Sequence, residues 1–289
     1  MTGVMMEEAV PSAIDSAASQ KDTRTAVVGD DGLLYCSVCG QPLESWHTIL
    51  GKDRLLPIMC KCKEQEYERR EEERRRELIE TRRRACFSVE RLKLLDCTFE
   101  NDKLYSPDIT KLCKGYVERF AETLAPTERQ GRGLLFFGAV GTGKTFFAAA
   151  IANAVIDKGH TALFTSFNSI SNQLMQDYGG KQEVMDELMR PALLILDDLG
   201  AERGTEYMQE VVFSVIDKRI TSGKPMLITS NISADELKQP QNIHEERIYD
   251  RVLSVCVPVQ VKGRSIRSRN RQSWQTEETK ALKEAGSET

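Results

Sequence analysis

The sequence predicts an α/β protein, a three-layer P-loop domain with a five-stranded parallel sheet. A small cysteine-bearing module and a charged helical linker precede it. Three observations carry this. Gly138-Ala139-Val140-Gly141-Thr142-Gly143-Lys144-Thr145 follows the apolar run Leu134-Leu135-Phe136-Phe137 and leads into a helix-like run over 146–158. Around it, strand-like apolar runs alternate with helix-like segments, as a parallel sheet with crossover helices requires. Upstream, the pairs Cys36/Cys39 and Cys60/Cys62 precede a stretch composed almost entirely of Glu and Arg.

The glycine-rich stretch is G-x-x-x-x-G-K-T in its strand–loop–helix setting. Its glycines let backbone N–H groups curl around phosphate oxygens where side chains would block the approach. The next helix adds its N-terminal dipole to the same anion. Lys144 can reach the β- and γ-phosphates and the Thr145 hydroxyl can ligate Mg²⁺. A glycine-rich turn that fits by chance would lack both flanking elements, so the pattern implies a nucleoside triphosphate. Leu193-Leu194-Ile195-Leu196 reads as a fully buried strand that ends in Asp197-Asp198. In P-loop proteins the first acid after such a strand holds Mg²⁺, directly or through water, which pairs Asp197 with Thr145. Asp198 is then placed to polarise the attacking water. It is one methylene shorter than the Glu of most vigorous ATPases of this type, which suggests slow, switch-like hydrolysis. A strand that simply ends in a polar turn is the competing account.

The remaining elements follow in order. Residues 109–124 have helical periodicity, 161–167 form a strand after the stop at Gly159, and 168–178 and 183–189 form two short helices. A helix over 206–221 closes at Gly223, a strand over 226–230 ends at Asn231, a charged helix covers 245–253, and a last strand covers 255–261. The domains expected are a disordered N-terminus 1–31, a zinc-binding module 32–63, a charged helical linker 64–95, the ATPase domain 96–270, and a disordered tail 271–289.

A net charge of −4 argues against coating nucleic acid by overall charge. No stretch of eighteen apolar residues exists to span a membrane, and the N-terminus has no apolar signal core. A cytoplasmic protein is expected. Its eight cysteines then point to metal or free thiols and not to a disulfide framework. Cys36-x-x-Cys39 and Cys60-x-Cys62 resemble the two knuckles of a zinc ribbon, in a segment with too little core to fold without a metal. Free reduced thiols are the alternative, and His47 is a possible substitute ligand or a lone exposed histidine. Cys86, Cys97, Cys113 and Cys256 are isolated and read as small buried hydrophobes.

In the linker, Glu66/Arg70, Glu71/Arg75, Glu72/Arg76 and Glu80/Arg84 are i, i+4 pairs in the favourable order. Too few apolar residues are present for a coiled-coil seam. Arg82, Arg83 and Arg84 could touch phosphate or simply belong to a solvated face. Asn231 should lie on a strand beside the P-loop strand, where it can orient the attacking water or cap the strand end. Arg247 and Arg251 share one helix face at i, i+4 and could act on a neighbouring subunit's γ-phosphate or form surface ion pairs. Lys262, Arg264, Arg267, Arg269 and Arg271 form a local basic cluster, a phosphate-neutralising patch or a basic tail.

Gly138 to Thr145, Asp197-Asp198-Leu199-Gly200, the strand ending in Asn231, and Glu246-Arg247-Ile248-Tyr249-Asp250-Arg251 together resemble the AAA+ domain of replicative-helicase loaders of the DnaC/DnaI type. Transposition helper ATPases of the IstB type share this core. Cys97-Thr98-Phe99-Glu100-Asn101 is similar to the entry into that domain, and the resemblance covers roughly residues 95–270. It implies that Thr145 and Asp197 hold Mg²⁺, Asp198 stands at the catalytic-base position, Asn231 is sensor 1, and Arg251 is an arginine finger acting in trans. Arg267, in a run similar to a terminal Gly-Arg-Ser-Tyr-Arg but with Ile266 in place of Tyr, would stand at the sensor-2 position. The resemblance further implies a loader that self-assembles through its ATP interfaces. ATP would hold it, with single-stranded DNA, against a hexameric replicative helicase, gripped by the zinc module and linker. The alternative is a helper ATPase that assembles on duplex DNA with a transposase. A metabolic nucleotide kinase fits less well, since no acceptor pocket is evident.

Overall fold

Strand order in the larger sheet is what brings the two nucleotide motifs together. The computed structural model describes residues 26–102, 106–176, 180–200, 206–240, 242–263, 265, 274–280 and 282–283. They fall into two units, Met1–Arg75 and Arg76–Thr289.

In the first unit, β1 (Ala26–Val28) pairs antiparallel with β2 (Leu34–Cys36), and β3 (Glu44–Ile49) with β4 (Lys52–Pro57). The second hairpin is closed by Leu50 and Gly51 at φ 51 and 72, the pair of positive angles a tight two-residue turn between twisted strands demands. The sequence places residues 26–31 in a disordered lead-in. The structure instead pairs Val27 with Tyr35 and ties the turn by Tyr35 Oη donating to Asp31 Oδ2 at 2.7 Å. The rest of the expected N-terminal disorder lies outside the described residues. Helix α1 (Lys61–Cys86) begins in this unit and runs into the next. Arg70–Glu66 and Arg84–Glu80 pair along it, while Arg74 reaches Glu71.

The second unit continues from α1 through a 3₁₀ turn, Val89–Asp96, into α2 (Pro107–Glu118) and α3 (Phe120–Leu124). The single helix expected over 109–124 is broken at Arg119, and the break turns Phe120 fully inward. Then come β5 (Gly133–Phe137), α4 (Lys144–Asp157), β6 (Ala162–Ser166), α5 (Phe167–Gln176), α6 (Lys181–Met189) and β7 (Leu193–Leu199). They are followed by α7 (Glu206–Thr221), β8 (Met226–Ser230), α8 (Ala234–Lys238), α9 (Ile243–Val255) and β9 (Cys256–Gln260). The five strands pair in parallel, in the order β6-β7-β8-β5-β9. Strand β8 therefore lies between the P-loop strand β5 and the acidic strand β7.

Both faces of this sheet are covered, which is why its strands read as nearly continuous apolar runs. Phe136, Ile195 and Leu227 pack with Phe147, Ile151 and Phe164 on one side. Leu135, Leu194, Leu196 and Ile228 pack with Ile170, Val212, Val215 and Ile248 on the other. Alternation along each strand thus builds two cores and three layers. The fully buried Arg219 fastens the sheet's starting end. Its guanidinium donates to the carbonyls of Pro191, Ala192 and Pro225 at 2.8 to 3.1 Å, which satisfies the groups where β7 and β8 begin.

The end of α1 belongs to this unit by contact. Arg83 Nη2 pairs with both carboxylate oxygens of Asp157 at 2.7 Å, and Arg82 donates to the Gly159 carbonyl. These arginines thus serve the C-terminal end of α4, where cations suit the helix dipole. Among the described residues no helix is long and apolar enough to cross a membrane. Residues 274–280, expected to be disordered, are helical. Of the expected basic cluster only Lys262 is described. Arg264, Arg267, Arg269 and Arg271 lie outside the described residues, and with them the sensor-2 position.

Candidate functional site

The loop between β5 and α4 is built where side chains have no room. Gly138 stands at φ 135, and a Cβ there would come within 2.7 Å of the Val261 carbonyl oxygen. Gly141, at φ 81, is covered by the Ser265 side chain. Only glycine keeps both positions open, so the backbone N–H groups line the concavity unscreened. Lys144, the first residue of α4, is nearly buried, and its Nζ donates to the carbonyls of Gly138 and Ala139 at 2.8 Å each. Thr142 Oγ1 donates to the Ala139 carbonyl at 2.9 Å, while Val140 faces solvent. All eight motif residues from Gly138 to Thr145 therefore form one cradle at the N-terminus of α4.

Asp197 faces that cradle. Thr145 Oγ1 donates to its Oδ1 at 3.1 Å, so the two oxygens expected to share Mg²⁺ are already adjacent. This donor set, a hydroxyl and a carboxylate, is hard oxygen chemistry that suits Mg²⁺ with phosphate and water completing the shell. Two further groups hold Asp197. Thr229 Oγ1, on β8, donates to Oδ1 at 2.7 Å, and Arg91 Nη1, from the 3₁₀ turn, donates to Oδ2 at 2.7 Å. The motifs do not announce either residue. Thr229 had one available signal: with Ser230 it forms a polar end to an apolar run, on the strand expected beside the P-loop strand. Arg91 had none, since it lies 106 residues from its partner.

β7 runs past the acids in which the sequence reading ends it and reaches Leu199, across a register shift against β8 between Leu196 and Leu199. Such a bulge re-aims a side chain at a strand end. Here Asp198 takes φ 61, a left-handed conformation uncommon for a residue with a Cβ, and its N–H donates to Thr229 Oγ1 at 2.9 Å. Its carboxylate then meets Asn231 Nδ2 at 3.3 Å. Asp198 and Asn231 are thus paired at the ends of adjacent strands, next to Asp197.

Arg247 and Arg251 lie elsewhere, on the exposed face of α9. Both guanidinium groups stack over Phe213 of α7, at 4.5 and 5.9 Å from the ring centroid, and Arg251 Nη2 is 3.3 Å from Asp217 Oδ1. Within one chain Arg251 is an ion-pair partner on a half-exposed surface, and no contact links it to the P-loop among the described residues.

In the first unit Cys36, Cys39, Cys60 and Cys62 converge, with all four sulfurs within 4.8 Å of one another. Cys36–Cys62 and Cys60–Cys62 separations are 3.5 and 3.3 Å. Four thiolates around a tetrahedral zinc at ~2.3 Å stand ~3.8 Å apart, so the residues present fit that ion. Backbone N–H groups of Cys39 and Val38 point at Cys36 and pull its thiol down to about 6, and the Gln41 N–H lowers Cys39. Cys62, hydrogen-bonded to Cys60, is pushed up to about 12. His47 is exposed on β3 and stands outside the cluster.

A cradle for a phosphate chain in front of a hydroxyl–carboxylate pair, on a parallel sheet with β8 inserted between the two motifs, is the design of a P-loop domain of the AAA+ kind. A family model described as IstB-like ATP binding protein matches residues 108–274, more than half of the 289-residue chain. The chain belongs to that family. It is 27% identical over 186 residues to the replicative helicase loader DnaI of Bacillus subtilis (strain 168), which covers 60% of this chain and 59% of DnaI. Over 164 residues it is 25% identical to the replicative helicase loader DnaC of Escherichia coli (strain K12), which covers 54% of this chain and 63% of DnaC. The chain thus spans less than two thirds of either relative. A crystal structure of the DnaC helicase loader superposes with a TM-score of 0.50 at 22% identity, covering 59% of this chain and 99% of that one, and shares the fold.

Thr229→Val keeps the shape of the side chain but removes the oxygen that joins Asp197 Oδ1 to the Asp198 N–H. It should lower the unfolding free energy by about 2 kcal/mol, the usual cost of stranding a buried donor beside a lost charge-assisted bond. Urea unfolding followed by circular dichroism measures this, and unchanged stability would mean that the hydroxyl does not hold the bulge.

Proposed function

We propose that this protein is an ATP-dependent replicative-helicase loader, a slow and switch-like ATPase that assembles with single-stranded DNA and a hexameric helicase. The observation that carries the proposal is its similarity to the replicative helicase loaders DnaI and DnaC. The cysteine module and the Glu/Arg helix α1, both upstream of the family-matched residues, supply a second surface suited to gripping a partner.

In this proposal the cradle from Gly138 to Thr145 holds the phosphates of ATP. Lys144, whose Nζ now bonds two loop carbonyls, is positioned to turn to the β- and γ-phosphates without leaving the cradle. Thr145 and Asp197 would hold Mg²⁺, which would supply neutralising charge to the phosphates when bound. Asp198 polarises the attacking water, and Asn231, 3.3 Å away, orients it. The exposed α9 face presents Arg247 and Arg251 to a neighbouring copy, where Arg251 would leave Asp217 and complete that copy's site as a trans finger. Slow hydrolysis suits the short Asp198 side chain, because a switch needs the ATP-bound assembly to persist. Differential contact with the γ-phosphate is then what biases the loader between holding and releasing the helicase. The four clustered cysteines hold one structural zinc.

Two outcomes follow. With a non-hydrolysable ATP analogue and single-stranded DNA present, the purified chain should co-elute with its cognate hexameric helicase. Lys144→Ala should lose both analogue binding and co-elution, and Asp198→Ala should keep both but lose turnover. Retention on duplex DNA with a transposase, and no helicase association, would favour the transposition-helper alternative. Separately, protein prepared under reducing conditions should carry about one zinc per chain by elemental analysis. Chelation should then unfold residues 35–63 and leave the ATPase unit folded, because that unit has two apolar cores of its own. Zinc-free protein with an intact first unit would refute the metal assignment.

A further inference from the structure

Arg91 is a cation at the nucleotide site for which the P-loop motifs have no use. It lies upstream of the family-matched residues 108–274, in the 3₁₀ turn that follows helix α1. Its Nη1 donates to Asp197 Oδ2 at 2.7 Å in a largely enclosed setting, with the Arg91 side chain 25% and the Asp197 side chain 5% exposed. The guanidinium also stacks 5.4 Å from the centroid of Phe164. Asp197 is therefore divided: Oδ1 serves Thr145 and Thr229, and Oδ2 serves Arg91.

The turn that carries Arg91 is seated firmly on the P-loop helix. Asn153 of α4 donates from Nδ2 to the carbonyls of Leu94 and Cys97 at 3.0 and 2.9 Å. Leu94, Leu95, Cys97 and Phe99 pack against the core, and Phe87 bridges to Phe164 with rings 5.5 Å apart. The turn is thus anchored on α4 at its far end and on Phe164 through Phe87 at its start, and between these anchors Arg91 reaches the carboxylate.

We infer that Arg91 is a positioning residue that competes with the divalent cation for Asp197. Metal loading at Thr145–Asp197 and the docked state of the Arg91 side of the turn then oppose one another. This rests on the nucleotide-site assignment proposed above and names the chain's own residue that would report occupancy of that site. The physical reason is charge. Mg²⁺ demands close, near-octahedral oxygen contacts at about 2.1 Å. A guanidinium already on the same carboxylate withdraws the electron density that the metal needs and repels it across the shared group. Metal with nucleotide therefore weakens the Arg91–Asp197 pair, and the pair in turn raises the metal concentration needed to fill the site, since such linkage is reciprocal. Asn153 meanwhile keeps Leu94 and Cys97 in place, so the change is confined to the residues nearest Arg91.

The test is a Mg²⁺ titration of the full-length chain with a fluorescent, non-hydrolysable ATP analogue, read as bound analogue and not as turnover. Arg91→Ala should lower the Mg²⁺ concentration for half-maximal binding about tenfold, which is about 1.4 kcal/mol. Arg91→Gln should behave like Arg91→Ala, and Arg91→Lys should stay near the wild-type value because it keeps the charge. Amide hydrogen exchange supplies a second readout. In the wild type, exchange over residues 89–93 should rise when Mg²⁺ and the analogue are added together. In Arg91→Ala it should be high from the start. If Arg91→Ala does not fold, Arg91→Gln and the wild-type exchange response decide. A Mg²⁺ requirement that is unchanged or raised in the neutral variants, or wild-type exchange that ignores Mg²⁺ and analogue, overturns the competition while the nucleotide site stands. A wild-type chain that binds no analogue at any Mg²⁺ concentration overturns the nucleotide site and the competition with it.

Discussion

The buried carboxylate of Asp197 receives hydrogen bonds from three separate elements, and much of the site's geometry follows from satisfying it. A carboxylate taken out of water is costly unless it is paired and hydrogen-bonded. Here Thr145 approaches from the P-loop helix, Thr229 from the adjoining strand, and Arg91 from the 3₁₀ turn, at 3.1, 2.7 and 2.7 Å. Each contact fixes a relation between elements. Thr145 sets α4 against β7, Thr229 sets β8 against β7, and Arg91 brings the turn after α1 onto both. The bulge that places Asp198 beside Asn231 is held by the same Thr229 hydroxyl, which accepts from the Asp198 N–H while donating to Asp197. Scaffold and site are coupled through one side chain.

This arrangement explains why β8 matters beyond sheet formation. Lying between β5 and β7, it supplies Thr229 and Ser230 from its buried end and Asn231 just beyond it. Ser230 Oγ donates to the Leu199 carbonyl at 2.6 Å and secures β7 on the far side of the register shift. The left-handed backbone at Asp198 is thus bracketed by hydrogen bonds before and after it. Local strain of that kind persists only where the surroundings over-determine it.

The sheet and cradle were legible because their signals are local. A doubly covered parallel strand must be apolar throughout, as Leu193 to Leu196 are. A phosphate cradle must have glycine where a Cβ would strike backbone or side chain, as at Gly138 and Gly141. The cysteine cluster was legible for a related reason, since short spacing within each pair leaves only the meeting of the two pairs to the fold. What escaped the sequence was set by tertiary pairing. Arg91 and Asp197 meet only after the linker turn docks on α4, and nothing near Arg91 marks it. Arg82 and Arg83 read as a phosphate patch or a solvated face, yet they serve the C-terminal end of α4. Arg251 shows the reverse limit: within one chain it pairs with Asp217, so any role at an ATP site depends on a second copy that a single sequence does not describe.

We propose Asp197 as the carboxylate through which metal and nucleotide act on the rest of the unit. Titration with Mn²⁺ in the presence of a non-hydrolysable ATP analogue, followed by electron paramagnetic resonance, tests it most directly. The wild-type chain should bind one Mn²⁺ tightly, and Asp197→Asn, which keeps the side chain's size while removing its charge, should lose that site while its unfolding remains cooperative. Equal Mn²⁺ affinity and stoichiometry in the two proteins would contradict the account.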